Sequence, residues 1–235
     1  MKFKLLKNKQ NTGIRVICFL ILFGISTFSL YAANDFEGEI TYQITYEDGI
    51  QKQILEVLPK QSTLLIKNHT FYSYTNGPMG NQGLIYDDKK KVSYSLIDLF
   101  SSAWAIKKNK IDIIKDRDIF KIQSIRHTEE SKLILGYSCR MIIVTAYIPK
   151  LKKNIEFKAF YTPSLGNTDW INETDPIYYQ VKGILLEYEI QMGSVFMSYK
   201  ATEVKKLKLS DSDLKIPKTH KIVSYQEAGH LLKNR

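Results

Sequence analysis

The chain has 235 residues, 25% of them charged and 44% hydrophobic, with a formal net charge of +10. Five basic residues fall in 1–32, where no acid occurs, so the remainder carries 29 Lys+Arg against 24 Asp+Glu, a net of only +5. That diffuse surplus lacks the concentrated basic footprint of a nucleic-acid binder. With one of its two cysteines at position 18, the remainder is left a single thiol and cannot be a disulfide scaffold.

The first element is a leader. Lys2, Lys4, Lys7, Lys9 and Arg15 precede an apolar run from Val16 to Leu30, and small residues come next at Ala32 and Ala33. A basic region, a short apolar region and a small residue at the cut predict a cleavable secretory signal over 1–32, cut after Ala32. An uncleaved anchor is the rival reading. Ile14–Tyr31 spans 18 residues, the lower limit for crossing a bilayer, but Gly24, Ser26, Thr27 and Ser29 dilute it. Cys18 lies too early to be a lipidated cysteine at the cut. The expectation is a periplasmic or secreted protein with no membrane span after cleavage.

The rest of the chain reads as one antiparallel β domain over 33–217 and a polar tail over 218–235. Phe36, Gly38, Ile40, Tyr42, Ile44 and Tyr46 alternate with polar residues, the period of two expected of a half-buried strand. Asp48–Gly49 supplies a hairpin turn, which predicts a returning strand over Ile50–Leu58, ended by Pro59. Ser62–Lys67 and Thr70–Thr75 are short β-rich runs, separated from the next strand by the breaker Asn76–Gly77–Pro78–Met79–Gly80. Gly83–Tyr86 and Lys91–Leu96 flank Asp87–Lys90 as a second hairpin. Leu99, Phe100, Ala103, Trp104 and Ile106 recur at three-to-four spacing, which predicts a helix over Ile97–Ile106.

Ile119–Ile125 and Lys132–Gly136 read as strands. Cys139–Ile148 is nearly continuous in apolar residues and so predicts a central strand. Asn154–Thr162 and Ile184–Met192 alternate again. Val195–Tyr199 and Ala201–Leu209 close the series before Ile216–Pro217. About ten strands at hairpin spacing predict a mainly β fold: one meandering antiparallel sheet curled into a half-barrel or open barrel with one or two short helices. The basic runs around Lys107 and Lys205 read as solvated turns or strand edges.

Catalytic motifs are missing from the sequence. His69, His127, His220 and His230 have no metal-ligand spacing with one another or with Cys139. Gly136–Tyr137–Ser138–Cys139–Arg140 lacks the glycine that a nucleophile elbow needs two residues after its serine. Cys139, inside an apolar run, reads as a buried hydrophobe. Glu37, Glu39, Glu187 and Glu189 fall on polar strand faces. There is no phosphate loop or dinucleotide fingerprint, so no cofactor is expected. The atypical segment is Gly166–Pro176, an acidic loop with Trp170 inside it. A Trp among acids suits a sugar or a cation, and suits equally a flap whose Trp seals the core.

Several short stretches then resemble a known family. Phe36–Tyr42, Ile134–Cys139, Lys182–Ile190, Ala201–Val204 and Leu209–Pro217 are similar, in their order, to secreted proteins of unknown function common in Bacteroidota, of the GLPGLI kind. That resemblance implies the architecture of LolA-type periplasmic lipoprotein carriers, in which an incomplete antiparallel barrel wraps helices and holds acyl chains on its concave face. It implies no catalytic residues. The first reading is therefore a non-enzymatic binder of an apolar, lipid-like or lipoprotein ligand. Phe36, Tyr42, Tyr46, Phe157, Tyr161, Tyr188 and Trp170 would line its site. The second is an interaction module holding a protein partner of the cell envelope, with a filled core and no ligand. The third is a hydrolase using Cys139 or a carboxylate pair.

Overall fold

The computed structural model describes residues 35–233 apart from 79, 100, 101, 167 and 194. The predicted signal lies outside the described residues, and residues 35–233 belong to one unit. Twelve strands make a single sheet. They are β1 Gly38–Tyr46, β2 Gln61–Lys67, β3 Thr70–Gly77, β4 Gly80–Asp87, β5 Val92–Leu99, β6 Ser102–Lys108, β7 Lys121–Ile134, β8 Tyr137–Ile148, β9 Lys153–Thr162, β10 Ile184–Met192, β11 Val195–Lys206 and β12 Lys221–Ser224. Three short helices interrupt them: α1 Lys52–Val57, α2 Lys110–Arg117 and α3 Tyr225–Lys233.

The spatial order is β12-β6-β5-β4-β3-β2-β1-β11-β10-β9-β8-β7. It comprises two meanders joined where β1 pairs β11 antiparallel, from Gly38 opposite Lys206 to Tyr46 opposite Met197. β12 and β6 form a parallel pair at one edge. The sheet does not close, and β7 is the other edge. The mainly β, open antiparallel fold expected from period-two alternation is what forms.

Tight two-residue turns set the register of two hairpins. Asn68 and His69 have φ of 48° and 63°, and Leu135 and Gly136 have φ of 51° and 83°. Consecutive positive φ angles are those of the type I′ turn, whose twist matches that of the flanking strands.

Two predicted elements are corrected. Ile50–Leu58 is not a strand: Gly49 turns the chain with φ of 93° and Lys52–Val57 forms α1. Both sides of β1 are already taken, by β2 and β11, so a segment beginning at residue 50 has no ladder to join. Ile97–Ile106 is not a helix but the hairpin of β5 and β6, with Ile97 opposite Trp104 and Leu99 opposite Ser102. Two short strands folded back on each other reproduce the same apolar spacing. The helix that does form begins just beyond, at α2. Asn109 Oδ1 accepts from Ile111 N at 2.8 Å and Asp112 N at 3.1 Å, and Asp112 Oδ2 accepts from Asn109 N at 3.0 Å. This is a reciprocal capping box. α2 buries only Ile113, so it left no amphipathic period to read.

The segment read as a polar tail is also built into the unit, since it carries β12 and α3. The strap leading to it, residues 207–220, crosses the outer sheet face. Leu209 and Leu214 pack on Leu65, and Ile216 packs against Ile85, Leu96 and Ala105. Lys67 ties the strap down, its Nζ 2.8 Å from Asp211 Oδ1 and donating to Leu209 O at 2.5 Å.

The apolar run at Cys139–Ile148 lies in β8, between β7 and β9, and both of its faces are buried. Ile142, Val144 and Ala146 point one way, Met141 and Ile143 the other. The long connection from Pro163 to Gly183 is drawn into the inner face of the sheet. Its Trp170 stacks on Phe71 at 6.2 Å, while its Tyr178 reaches β9 and β10 by donating to Lys158 O and Glu189 O at 3.2 and 2.7 Å.

Candidate functional site

The inner segment 163–183 does not fill the sheet. Between its Ile171–Pro176 stretch and strands β1, β2, β3, β4 and β10 lies a partly open space of about 210 Å³, walled by Tyr42, Leu64, Phe71, Leu84 and Tyr188. Adjoining it is a cleft of about 390 Å³, partly open to solvent and bounded by Tyr46, the α1 end Val57–Pro59, Ile190, Met192, Met197 and Tyr199. The two spaces share Ser73, Leu84, Asp175 and Tyr188 as walls. The larger falls within the range of small-molecule pockets.

Register explains why these side chains converge. In the antiparallel ladder Tyr42 stands opposite Ser62 on β2, Leu64 opposite Ser73 on β3, and Ser73 opposite Leu84 on β4. On the other side Tyr46 is opposite Met197, and Tyr199 is opposite Tyr188. Paired residues point to the same face, so the inner face carries an apolar and aromatic strip across six strands. Ser62 and Ser73 keep that strip narrow enough to leave space above it.

The aromatic wall is ordered by ring contacts. Tyr188 and Tyr199 stack at 4.8 Å and 11°, Tyr42 meets Tyr188 edge-on at 5.7 Å, and Tyr178 meets Tyr188 edge-on at 6.1 Å. Offset stacks and edge contacts are the favoured aromatic geometries. Tyr42 donates to Leu185 O at 2.9 Å and Tyr46 donates to Pro59 O. Among the described residues no partner is found for the Tyr188 and Tyr199 hydroxyls. Burial raises the pKa of Tyr42, Tyr178, Tyr188 and Tyr199 above the ordinary phenol value, so these rings are neutral.

Asp175 is the one charged residue among the described walls of both spaces. Its Oδ1 accepts from Ile177 N at 2.7 Å and Tyr178 N at 2.8 Å, the turn that carries the chain past Pro176. No hydrogen bond to its Oδ2 and no salt bridge to the residue is found among the described residues. Burial lifts its pKa above the ordinary carboxylate range, against the lowering effect of the two backbone N–H groups.

The cover is braced rather than loose. Asn172, 7% exposed, donates from Nδ2 to Val181 O at 2.8 Å and to Gly183 O at 2.9 Å. Lys91 Nζ lies 2.9 Å from Glu173 Oε2, Tyr86 donates to the same oxygen, and Arg117 of α2 donates to Glu173 O. The Lys91 ammonium and the Tyr86 hydroxyl pull the Glu173 carboxyl below its ordinary value, outweighing burial. Gly183 closes the segment with φ of 128°, where an added Cβ would stand 2.6 Å from Thr162 O.

The seven residues expected to line a site divide. Tyr42, Tyr46 and Tyr188 face the two spaces. Phe36, Phe157, Tyr161 and Trp170 do not line them and are packed in core. Phe157 is fully buried between Phe120 and Phe196. Trp170, 8% exposed, stacks on His69 and Phe71, which suits the sealing flap. Tyr199, Met197 and Asp175 were missed. Alternation on β11 pointed to the first two; Asp175 gave only an Asp-Pro step inside the acidic loop.

The centres of the hydrolase reading do not assemble among the described residues. Cys139 is fully buried, with its thiol pKa raised by burial. Glu187 pairs with Lys132 at 2.8 Å, and Glu189 accepts from Lys158 N at 2.8 Å. No group of His, Cys, Asp and Glu able to hold a metal is found among the described residues. No helix of the described residues is long and apolar enough to cross a membrane.

No family model matches the chain, so membership of the secreted family it resembles stays an expectation. No curated protein matches it either. Among solved structures it is similar to LprF from Mycobacterium bovis, at 10% identity and a TM-score of 0.32, over 79% of this chain and 90% of that one. A likeness at that score decides no ligand, so the chemistry of the cleft has to come from its own side chains.

Proposed function

We propose that this chain is an exported, non-enzymatic protein of the cell envelope that binds an apolar or lipid-like ligand in the cleft between the inner sheet face and the 163–183 segment. The observation that carries the reading is the pair of adjoining spaces, about 390 and 210 Å³, walled by tyrosine, leucine and methionine around shared residues. Both spaces are partly open to solvent, so this volume is a groove that a ligand can enter rather than a void sealed in the core. Here a braced cover holds it open. Export rests on the basic, apolar and small-residue pattern of 1–32.

The test is native mass spectrometry of protein taken from its own envelope, with lipid extraction, beside titration of a fluorescent fatty amide or alcohol. The expected result is a co-purifying apolar adduct, or saturable uptake that competes with it, lost when Leu84→Arg places a charge in the shared wall. A clean apo mass with no uptake of any apolar probe would overturn the reading and favour the filled-core interaction module.

A further inference from the structure

The cleft holds one carboxylate and no basic group among its described walls, and this specifies more than an apolar ligand. We infer that the ligand is an amphiphile with a cationic head, an amine or quaternary ammonium, and that Asp175 is its counter-ion beside the stacked Tyr188–Tyr199 pair. The inference rests on the cleft being a ligand site, and it assigns the charge of what enters.

Three observations converge. Asp175 lies where the two spaces meet, since it walls both. Its Oδ1 is committed to the backbone N–H groups of Ile177 and Tyr178, while Oδ2 has no hydrogen-bond partner among the described residues. Asp175 is half-buried and walls a cleft partly open to solvent, so this oxygen is available to a ligand, and a cation there meets a charge less screened than in bulk water. Finally, neutral tyrosine rings wall the same spaces: Tyr188 stacks on Tyr199 at 4.8 Å, with Tyr42 edge-on at 5.7 Å from Tyr188. Ring faces attract cations, and aromatic walls with one carboxylate are the chemistry that recognises alkylammonium groups. An anionic head would meet the opposite: the Asp175 charge, electron-rich ring faces and no donor cation. Residues 33–235 carry a formal +5. Unspecific attraction therefore favours anionic amphiphiles, and a preference for cations has to come from the site.

The experiment uses three probes with one decyl tail, each below its micellar concentration: decyltrimethylammonium, decyldimethylphosphine oxide as the neutral match, and decyl sulfate. Titration calorimetry on the wild-type chain at neutral pH is expected to give the order ammonium, phosphine oxide, sulfate, with roughly tenfold between the first two. Asp175→Asn retains an oxygen to accept from Ile177 and Tyr178. It is expected to bring ammonium and phosphine oxide to the same affinity, leaving the phosphine oxide within about twofold of wild type. Tyr188→Leu is expected to weaken the ammonium more than the phosphine oxide. Equal binding of all three probes, or a preference for sulfate, would overturn the charge assignment while leaving the apolar cleft standing. Failure of every probe to bind would overturn the cleft as a site. The wild-type order decides without any variant, so a poorly folding Asp175→Asn does not protect the inference.

Discussion

Asn172 is where the cover can be unlocked by a single atom. Its Nδ2 supplies both hydrogens to carbonyls at the far end of the segment, Val181 O at 2.8 Å and Gly183 O at 2.9 Å. Asn172→Ala leaves two buried acceptors unpaired. An abandoned buried acceptor costs about 1–3 kcal/mol, and carbonyls, which have a second lone pair, sit toward the low end. The expected loss is therefore roughly 2–4 kcal/mol, or roughly 4–16 °C in Tm for a unit of this size. Asn172→Asp is the sharper variant, because it keeps the shape and turns a carboxylate toward two carbonyl oxygens, so its loss should exceed that of alanine. The assay is urea unfolding followed by tryptophan fluorescence, which includes Trp170 in the same segment, with the m-value compared to confirm an unchanged transition. Either of two results would refute the bracing role: an alanine variant within about 0.5 kcal/mol of wild type, or an aspartate variant as stable as asparagine.

Other perturbations test other parts of the structure. Gly183→Ala should destabilise by more than about 2 kcal/mol, because φ is 128° and the new Cβ would meet Thr162 O at 2.6 Å; a thermal melt unchanged from wild type would contradict this. Leu135→Asn should stabilise by roughly 0.5–1 kcal/mol, since an exposed leucine at φ 51° is replaced by the residue that best tolerates that conformation. Burial holds Asp175 above the ordinary carboxylate range, so the folded chain keeps a proton that the unfolded chain releases. That contribution to stability is complete below about pH 4 and is lost as pH rises through the raised folded value. Asp175→Asn should accordingly be more stable than wild type at neutral pH, with the gap closing below about pH 4; a gap constant from acid to neutral would show that the charge is not its source. Cys139 should resist alkylation in the native chain and react on unfolding, read peptide by peptide in a mass spectrometer. Stoichiometric labelling of native Cys139 would reopen the nucleophile reading.

Period-two alternation made most of the sheet legible. β1, β9 and β10 were read within a few residues because one face of each is apolar and the other mostly polar, and β8 because both of its faces are buried. Turn chemistry at Asp87–Lys90 served the hairpin of β4 with β5 in the same way, whereas Ile119–Ile125 and Lys132–Gly136, read as two strands, are one irregular strand, β7, that ends in a turn at Leu135–Gly136. The failures came where local pattern is ambiguous. Ile97–Ile106 satisfies helical spacing and a hairpin alike, and α2 hides because a capping box, not an apolar stripe, holds it.

By itself the sequence determined the class of the fold, because alternation and breakers are properties of neighbours along the chain. It also named three tyrosines of the cleft, Tyr42, Tyr46 and Tyr188, since a strand face is a local fact. Only the tertiary structure decided that β1 pairs with β11 across more than a hundred residues of chain, bringing Tyr199 onto Tyr188. It alone turned the 163–183 segment inward, so that Trp170 seals core and Asp175 meets the cleft. A cavity is what side chains distant in sequence fail to fill, and nothing in the order of residues records a volume.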